Sequence, residues 1–336
     1  MPETLQQKID FLSHPSNYPD KTTAVELIET HMSWVFLTDQ FVYKLKKPAV
    51  YDHLDFSTLQ ARWHNCEEEV RLNRRLAANV YLDLLPLVKN ASGQFEVAGV
   101  GEIAEWLVKM RRLPSALALD KCIRNGNIPE QPFIRLAEKL GRFYLGCQSE
   151  KMQPREYRER CTRNIINAIA ELASAQHLIP MDIVQAIFRK LHAFQRENVD
   201  MLDRRVLDGK IVEGHGDLRA EHVYLETEPM IVDCLEFSKE LRTVDAVSDI
   251  AFLALDCERL GGLQAGRQLL RRYCAVTGDD PSQDMVHFYQ TSHALSRAWL
   301  ALRHLQEPQY QNDPKWQELA KEWLRLAVTH AGLIGK

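Results

Sequence analysis

Gly214-His215-Gly216-Asp217-Leu218-Arg219-Ala220-Glu221-His222 runs into Val223-Tyr224-Leu225. After Glu226-Thr227-Glu228-Pro229 the chain continues as Met230-Ile231-Val232-Asp233-Cys234-Leu235-Glu236-Phe237. Two short apolar runs flanking a turn that contains Pro229 predict a β-hairpin, with Pro229 supplying a fixed φ. Asp217 and Asp233 stand at its two ends, and His222 lies five residues after Asp217. Taken singly, each carboxylate also reads as an ordinary residue of a strand-end turn. The spaced set is what calls for a chemical explanation.

Upstream, Leu5, Ile9 and Leu12 share a helical face in residues 3–14, and His14-Pro15-Ser16-Asn17-Tyr18-Pro19-Asp20 breaks it. Val25 to Glu29 and Trp34 to Leu37 read as strands around a bend at His31-Met32-Ser33, followed by a third strand over Phe41-Val42-Tyr43-Lys44-Leu45-Lys46-Lys47-Pro48. A strand places Lys44 and Lys46 on one face; an edge strand protected by lysines would show the same spacing. Ser57 is the expected N-cap of a helix reaching about Leu76. In it Glu69 shares a face with Leu72 and Leu76, while its neighbours read as a solvated charge run. Val80 to Val88, Phe95 to Ala98 and Glu105 to Pro114 complete a β-rich segment.

Beyond Pro129 the pattern is helical: Phe133 to Gln148, Tyr157 to His177, one helix from Met181 to Arg205, Val244 to Leu260, Leu263 to Tyr273, Ser282 to Leu305 and Trp316 to Leu333. Asp279-Asp280-Pro281 and Glu307-Pro308 punctuate the last of these. No repeat, low-complexity tract or P-loop pattern is present.

The 336 residues leave room for about two domains. With 45% hydrophobic and 26% charged residues, the composition is that of a soluble globular protein. A net charge of −4 gives no support to nucleic-acid binding by bulk basicity. No uncharged apolar run approaches the roughly 18 residues of a transmembrane helix, and the start lacks a basic-then-apolar leader. A cytoplasmic protein with no membrane or nucleic-acid partner is expected. The seven scattered cysteines contain no C-x-x-C pair and are expected as reduced thiols.

The spacing resembles the catalytic loop and metal-binding Asp of protein kinases, and more closely the His-Gly-Asp form of aminoglycoside phosphotransferases. Val25-Glu26-Leu27-Ile28-Glu29-Thr30-His31, Ser33-Trp34-Val35-Phe36-Leu37, Leu54-Asp55-Phe56-Ser57-Thr58-Leu59, Arg71-Leu72-Asn73-Arg74-Arg75-Leu76 and His215-Gly216-Asp217-Leu218-Arg219 carry the likeness. They resemble a bacterial branch of that family, some of whose members are fused to a P-loop kinase domain. The resemblance implies an α+β, bilobal protein-kinase-like fold: a β-rich nucleotide-binding lobe over residues 1–113 and a helical lobe with the catalytic hairpin over 114–336.

It further implies a small-molecule kinase that moves the γ-phosphoryl of ATP or GTP to a hydroxyl, with Mg²⁺ or Mn²⁺. Asp217 would receive the acceptor's proton, with Arg219 neutralising the transferring phosphate. Lys44, with Lys46 in reserve, would reach the phosphates and pair with Glu69; Ser33 would lie over them. Met110, Arg111 and Leu113 would form the hinge that holds the base. Asp233 would hold the metal, with Glu236 adding a carboxylate. His222 occupies the position of the family's metal-binding Asn. Three roles stay open for it: metal ligand, partner of a metal-bound water, or mark of an impaired site. Asp249 is expected to brace the catalytic loop. Two other classes remain: a pseudokinase that binds nucleotide as a regulatory module, and a metal-dependent hydrolase using His215, Asp217, His222 and Asp233.

Overall fold

A computed structural model describes residues 4–51, 54–175, 177–307, 310–311 and 313–336. The first three residues of the chain start and Pro308, both read above, lie outside the described residues. The chain separates into two compact units. One comprises Met1–Ala118, His222–Glu226 and Met230–Lys239; the other comprises Leu119–Glu221, Thr227–Pro229 and Glu240–Lys336.

In the first unit, helix α1 (Leu5–Leu12) is followed by β1 (Glu26–Glu29), β2 (Ser33–Leu37), β3 (Phe41–Lys46), the short pair β4 (Val50–Tyr51) and β5 (Leu54–Asp55), helix α2 (Leu59–Ala77), β6 (Tyr81–Lys89), β7 (Phe95–Val97) and β8 (Glu102–Arg111). Six of these strands form an antiparallel sheet in the order β1-β2-β3-β8-β6-β7. Alternation along β3 sorts its side chains. Tyr43 and Leu45 join Ile9, Leu12, Phe36, Leu87 and Leu107 in the core on the α1 side. Lys44 and Lys46 therefore take the other face, where Cys66, Val70, Val108, Met230 and Val232 form a second cluster.

Helix α2 does not start where Ser57 was expected to cap it. The cap is Thr58, whose hydroxyl accepts from Ala61 N–H at 3.1 Å. Ser57 N–H instead donates to Asp55 Oδ1 at 2.8 Å, making an Asx turn ahead of the helix. Arg62, one turn in, fixes the helix on the sheet through a bidentate pair with Glu105 at 3.0 and 2.7 Å.

The second unit is built of α3 (Leu119–Arg124), α4 (Glu130–Gly146), α5 (Pro154–Ser174), α6 (Met181–Glu197), α7 (Val199–Leu207) and β9 (Ile211–Glu213). The hairpin β10 (Val223–Tyr224) and β11 (Met230–Ile231) then returns to the first unit. The second unit resumes at Glu240, within α8 (Lys239–Arg242), and continues with β12 (Thr243–Asp245), α9 (Ala246–Arg259), α10 (Leu263–Thr277), α11 (Gln283–His304) and α12 (Pro314–Ala331). The single helix expected from Met181 to Arg205 is two. Asn198 closes α6, its backbone and side-chain N–H groups both donating to Phe194 O, and α7 restarts after it. Asn competes for backbone acceptors in this way. All seven cysteines are free thiols. No described helix is long and apolar enough to cross a membrane.

A buried ionic knot ties this unit together. Arg205 of α7 donates to both oxygens of Asp245, each at 2.7 Å, and to Asp279 at 2.5 and 2.7 Å. Tyr289 Oη donates to Asp245 Oδ2 at 2.8 Å, and Asp245 also caps α9. Removing the guanidinium would strand two buried carboxylates. Arg205→Met is expected to cost about 3–5 kcal/mol, read as a lowered urea midpoint at unchanged slope. A loss below about 1 kcal/mol would show that the knot contributes little net stability.

Candidate functional site

The predicted site residues fall on both units, and each half has its own geometry. In the first unit, α2 presents Glu69, fully buried, to the lysine face of β3. Lys44 Nζ lies 2.9 Å from Glu69 Oε1, and Lys46 Nζ lies 2.5 Å from Glu69 Oε2. Each lysine has a second carboxylate. Lys44 Nζ is 3.0 Å from Asp233 Oδ1, and Lys46 Nζ is 2.5 Å from Glu236 Oε1. Five charged groups from β3, α2 and the segment after β11 thus form one alternating chain.

The electrostatics follow from that alternation. Burial favours a neutral Lys46, but Glu236 and Glu69 outweigh it and hold its pKa up to about 12. Lys44 likewise stays charged against burial because Asp233 and Glu69 face it. Burial disfavours the Glu69 anion, and Asp233, enclosed on one side only, feels a weaker form of the same effect. Lys44 lowers both pKa values, that of Asp233 well below the usual carboxylate range, with Lys46 helping at Glu69 and His222 at Asp233.

Asp233 is held in an unusual backbone state, φ +61°, in the left-handed region. Such a conformation costs energy and persists where surroundings over-determine it. Here Asp233 N–H donates to Tyr81 Oη at 3.1 Å, and the next N–H, of Cys234, donates to Asn73 Oδ1 at 2.9 Å. Asn73 Nδ2 in turn donates to Glu69 O at 2.8 Å. The carboxylate keeps 48% of its side-chain surface open, and His222 Nε2 lies 3.5 Å from its Oδ2. The His222 backbone is fixed in the hairpin, where Val232 N–H donates to His222 O at 2.9 Å.

At the expected hinge, Met110 pairs with Val42 and Tyr81 at the end of β8. Arg111 N–H goes to Val80 O, and its guanidinium makes a bidentate pair with Glu226 at 2.8 and 2.7 Å. Met110 and Leu113 pack against the α2-side cluster. Ser33 starts β2 opposite Lys46, is 1% exposed, and its Oγ has no hydrogen-bond partner among the described residues.

In the second unit, the loop 214–217 is hung from Asp249 of α9. Asp249 Oδ2 accepts from His215 N–H at 2.7 Å, from Gly216 N–H at 3.2 Å and from Tyr144 Oη at 2.8 Å. A Cβ at Gly214 would come within 2.5 Å of Asp249 Oδ2, so the close approach needs glycine. Gly216, at φ +84°, makes the turn that delivers Asp217. Arg219 meets Asp217 side-on, Nε to both oxygens at 3.1 and 3.0 Å, and reaches Glu221 with another nitrogen. Arg297 of α11 lies 3.7 Å from Asp217 Oδ1. Burial opposes both guanidinium charges. Asp217 and Glu221 keep Arg219 well above its ordinary pKa, whereas Arg297, beside Arg219, is lowered.

Lys44, Glu69, Asp233, His222 and Glu236 are thus assembled in the first unit, and Asp217 with Arg219 in the second. Glu236 is turned to Lys46. Tyr81, Asn73 and Arg297 are additions that spacing did not single out. Their contacts cross 152, 161 and 80 positions respectively; Asn73 lies in the Arg71–Leu76 stretch quoted above, but Tyr81 and Arg297 sit in no motif. Among the described residues no group of three or more His, Cys, Asp or Glu side chains is arranged to hold a metal by itself.

No family model matches the sequence. Uncharacterized proteins of Mycobacterium bovis and Mycobacterium tuberculosis are 33% identical over 286 residues, which is 82% of this chain and 54% of theirs. The chain spans about half the length of these curated relatives. The fold is similar to that of the GDP complex of aminoglycoside 2′-phosphotransferase-IIIa, with a TM-score of 0.53 at 16% identity over 97% of this chain and 99% of the other. A choline/ethanolamine kinase family protein from Mesorhizobium loti gives 0.54 at 13% identity over 97% and 98%. Choline kinase from Cryptosporidium parvum gives 0.54 at 11% over 97% and 96%. The protein has the kinase-like α+β fold of these enzymes.

Proposed function

We propose that the protein is a small-molecule kinase that transfers the γ-phosphoryl of ATP or GTP to an alcohol. The observation that carries the reading is the Glu69–Lys44–Asp233 chain, with Asp233 held at positive φ by Tyr81. Fold neighbours named as phosphotransferase and choline kinase, one of them bound to GDP, support it. In this reading the acceptor oxygen bonds to the γ-phosphorus as the bond from that phosphorus to the β–γ bridging oxygen breaks. The electron pair leaves with the nucleoside diphosphate, and the hydroxyl proton passes to Asp217. Arg219 and Arg297 orient the Asp217 carboxylate. Lys44 receives the donor's phosphates, with Ser33 nearby, and the base lies along Met110, Arg111 and Leu113.

Asp233 fits a divalent cation. It is an ionised carboxylate with about half of its surface open, and magnesium characteristically takes one or two carboxylates, with water and substrate phosphates completing its shell. Asp233 would hold the ion, with His222 at its second oxygen, and the ion would offset phosphate charge. Glu236 is the further candidate carboxylate, at the cost of its pair with Lys46.

Asp217→Asn should lower phosphoryl transfer about 10²–10⁴-fold while leaving nucleotide binding nearly unchanged. Asp233→Asn and Lys44→Met should weaken nucleotide binding first. The measurements are transfer to a panel of hydroxyl compounds, with ATP hydrolysis as a second readout, and thermal-shift titration with nucleotide and metal. Undiminished transfer by Asp217→Asn would overturn its role. Tight nucleotide binding by a wild type that neither transfers nor hydrolyses would instead mark a pseudokinase.

Imidazole suits Mn²⁺ better than Mg²⁺. His222→Asn should therefore move metal preference toward Mg²⁺, measured as the ratio of activities, or of nucleotide-dependent stabilisation, in the two ions. An unchanged ratio would remove His222 from the metal's surroundings.

A further inference from the structure

Arg160 of α5 is 7% exposed, and its guanidinium lies over the Tyr157 ring, 5.6 Å from the centroid. It forms no hydrogen bond or ion pair with any described residue, unlike the buried Arg62, Arg205 and Arg242. Its guanidinium nitrogens are not among the sealed polar atoms of the described residues, so they keep surface that water or a bound anion can reach, while no described protein group pairs the charge. Arg160 lines a cavity of about 140 Å³ within the second unit, shared with Asn164, Gly216, Tyr289 and Ser296.

The other ionisable groups around the cavity do not supply the missing anion. Asp245 is spent on Arg205 and on the Tyr289 hydroxyl, which also meets the Tyr157 hydroxyl at 2.8 Å. Burial pushes the Cys161 thiol up to about 11, so it carries no thiolate charge near neutral pH. Burial pushes His293 down to about 4, so it is neutral there, with Nε2 2.9 Å from Ser248 Oγ. Glu240 is 68% exposed at its side chain, with Arg163 3.9 Å away. Ser296 is half-buried and Asn164 is exposed at the cavity rim, and neither side chain has a partner among the described residues. Gly216, directly before Asp217, puts the cavity beside the proton-accepting residue of the proposed reaction.

We propose that this cavity takes the anionic end of the acceptor, and that the acceptor is a small alcohol bearing a carboxylate or phosphate held by Arg160, Asn164 and Ser296. The acceptor role rests on the kinase reading; the anion pocket itself does not. A cavity near 150 Å³ accommodates about six non-hydrogen atoms, which is the size of a three-carbon hydroxy acid.

The test uses four probes of one carbon count: D-glycerate, glycerol 3-phosphate, glycerol and 3-amino-1,2-propanediol. Their binding to the full chain is measured by calorimetry without nucleotide, in wild type, Arg160→Gln and Arg160→Lys. One or both anions should bind at least about tenfold more tightly than glycerol and the amine, the scale of one charge-assisted hydrogen bond. Which anion binds distinguishes carboxylate from phosphate. Arg160→Gln should abolish the preference, and Arg160→Lys should keep part of it, with nucleotide-dependent stabilisation unaltered in both. If Arg160→Gln does not fold, Ser296→Ala and Arg160→Lys carry the comparison. Equal binding of all four probes by wild type, or an anion preference that survives in a folded Arg160→Gln, would overturn the proposal. Anion binding without phosphoryl transfer would uphold the pocket and count against the kinase reading.

Discussion

The structure of the first unit depends on one carboxylate. Glu69 is completely buried between two ammonium groups and is the one carboxylate they share. Its position is fixed by α2, which is clamped to β8 by Arg62 and Glu105 seven residues earlier on the same side of the helix. The lysines come to it because strand alternation gives β3 one apolar and one basic face. Each lysine then recruits a carboxylate from the segment after β11. The hairpin is therefore bound into this unit by charge as well as by the apolar contacts of Met230 and Val232.

The second unit solves a different problem. The loop 214–217 exposes two successive backbone N–H groups, and burial would leave them unsatisfied without an acceptor. Asp249 supplies it, reinforced by Tyr144. With the backbone fixed, Asp217 is oriented by guanidinium groups rather than by its own turn. The same economy recurs at Arg205, where one cation serves two carboxylates that end β12 and follow α10.

Much of this was legible in the sequence because it is local or periodic. The alternation in Phe41–Lys46 predicts the strand and the shared face of its lysines. The stripe through Glu69, Leu72 and Leu76 predicts which glutamate turns inward. The hairpin is bounded by Asp217 and Asp233, and the turn containing Pro229 reads directly. The misplaced details are competitions between equals: Thr58 over Ser57 as cap, and a break at Asn198 inside an otherwise continuous apolar periodicity. The unseen residues act across long sequence separations. Nothing in Tyr81 or Asn73 announces that they receive the N–H groups of Asp233 and Cys234. Arg160 reads as one more surface arginine in Pro154–Ser174 until its burial is known.

Two lysines at Glu69 divide the candidates for the phosphate-facing role, and exposure decides between them. The Lys46 side chain is 1% exposed and its partner Glu236 only 9%, so that pair is closed to solvent. Any group replacing Glu236 would have to be brought into the interior and would have to match its charge. The Lys44 side chain retains 14% of its surface, and its outer partner Asp233 retains 48%. A polyanion can therefore approach Lys44 from the open side while Glu69 keeps hold of it from behind. Lys46, neutralised at both ends, acts on this arrangement indirectly: it fixes the second oxygen of Glu69, which leaves the first free to orient Lys44. In the proposed reading this division favours Lys44 as the residue that would meet the donor, and it gives the second lysine of β3, which solvent scarcely touches, a supporting place.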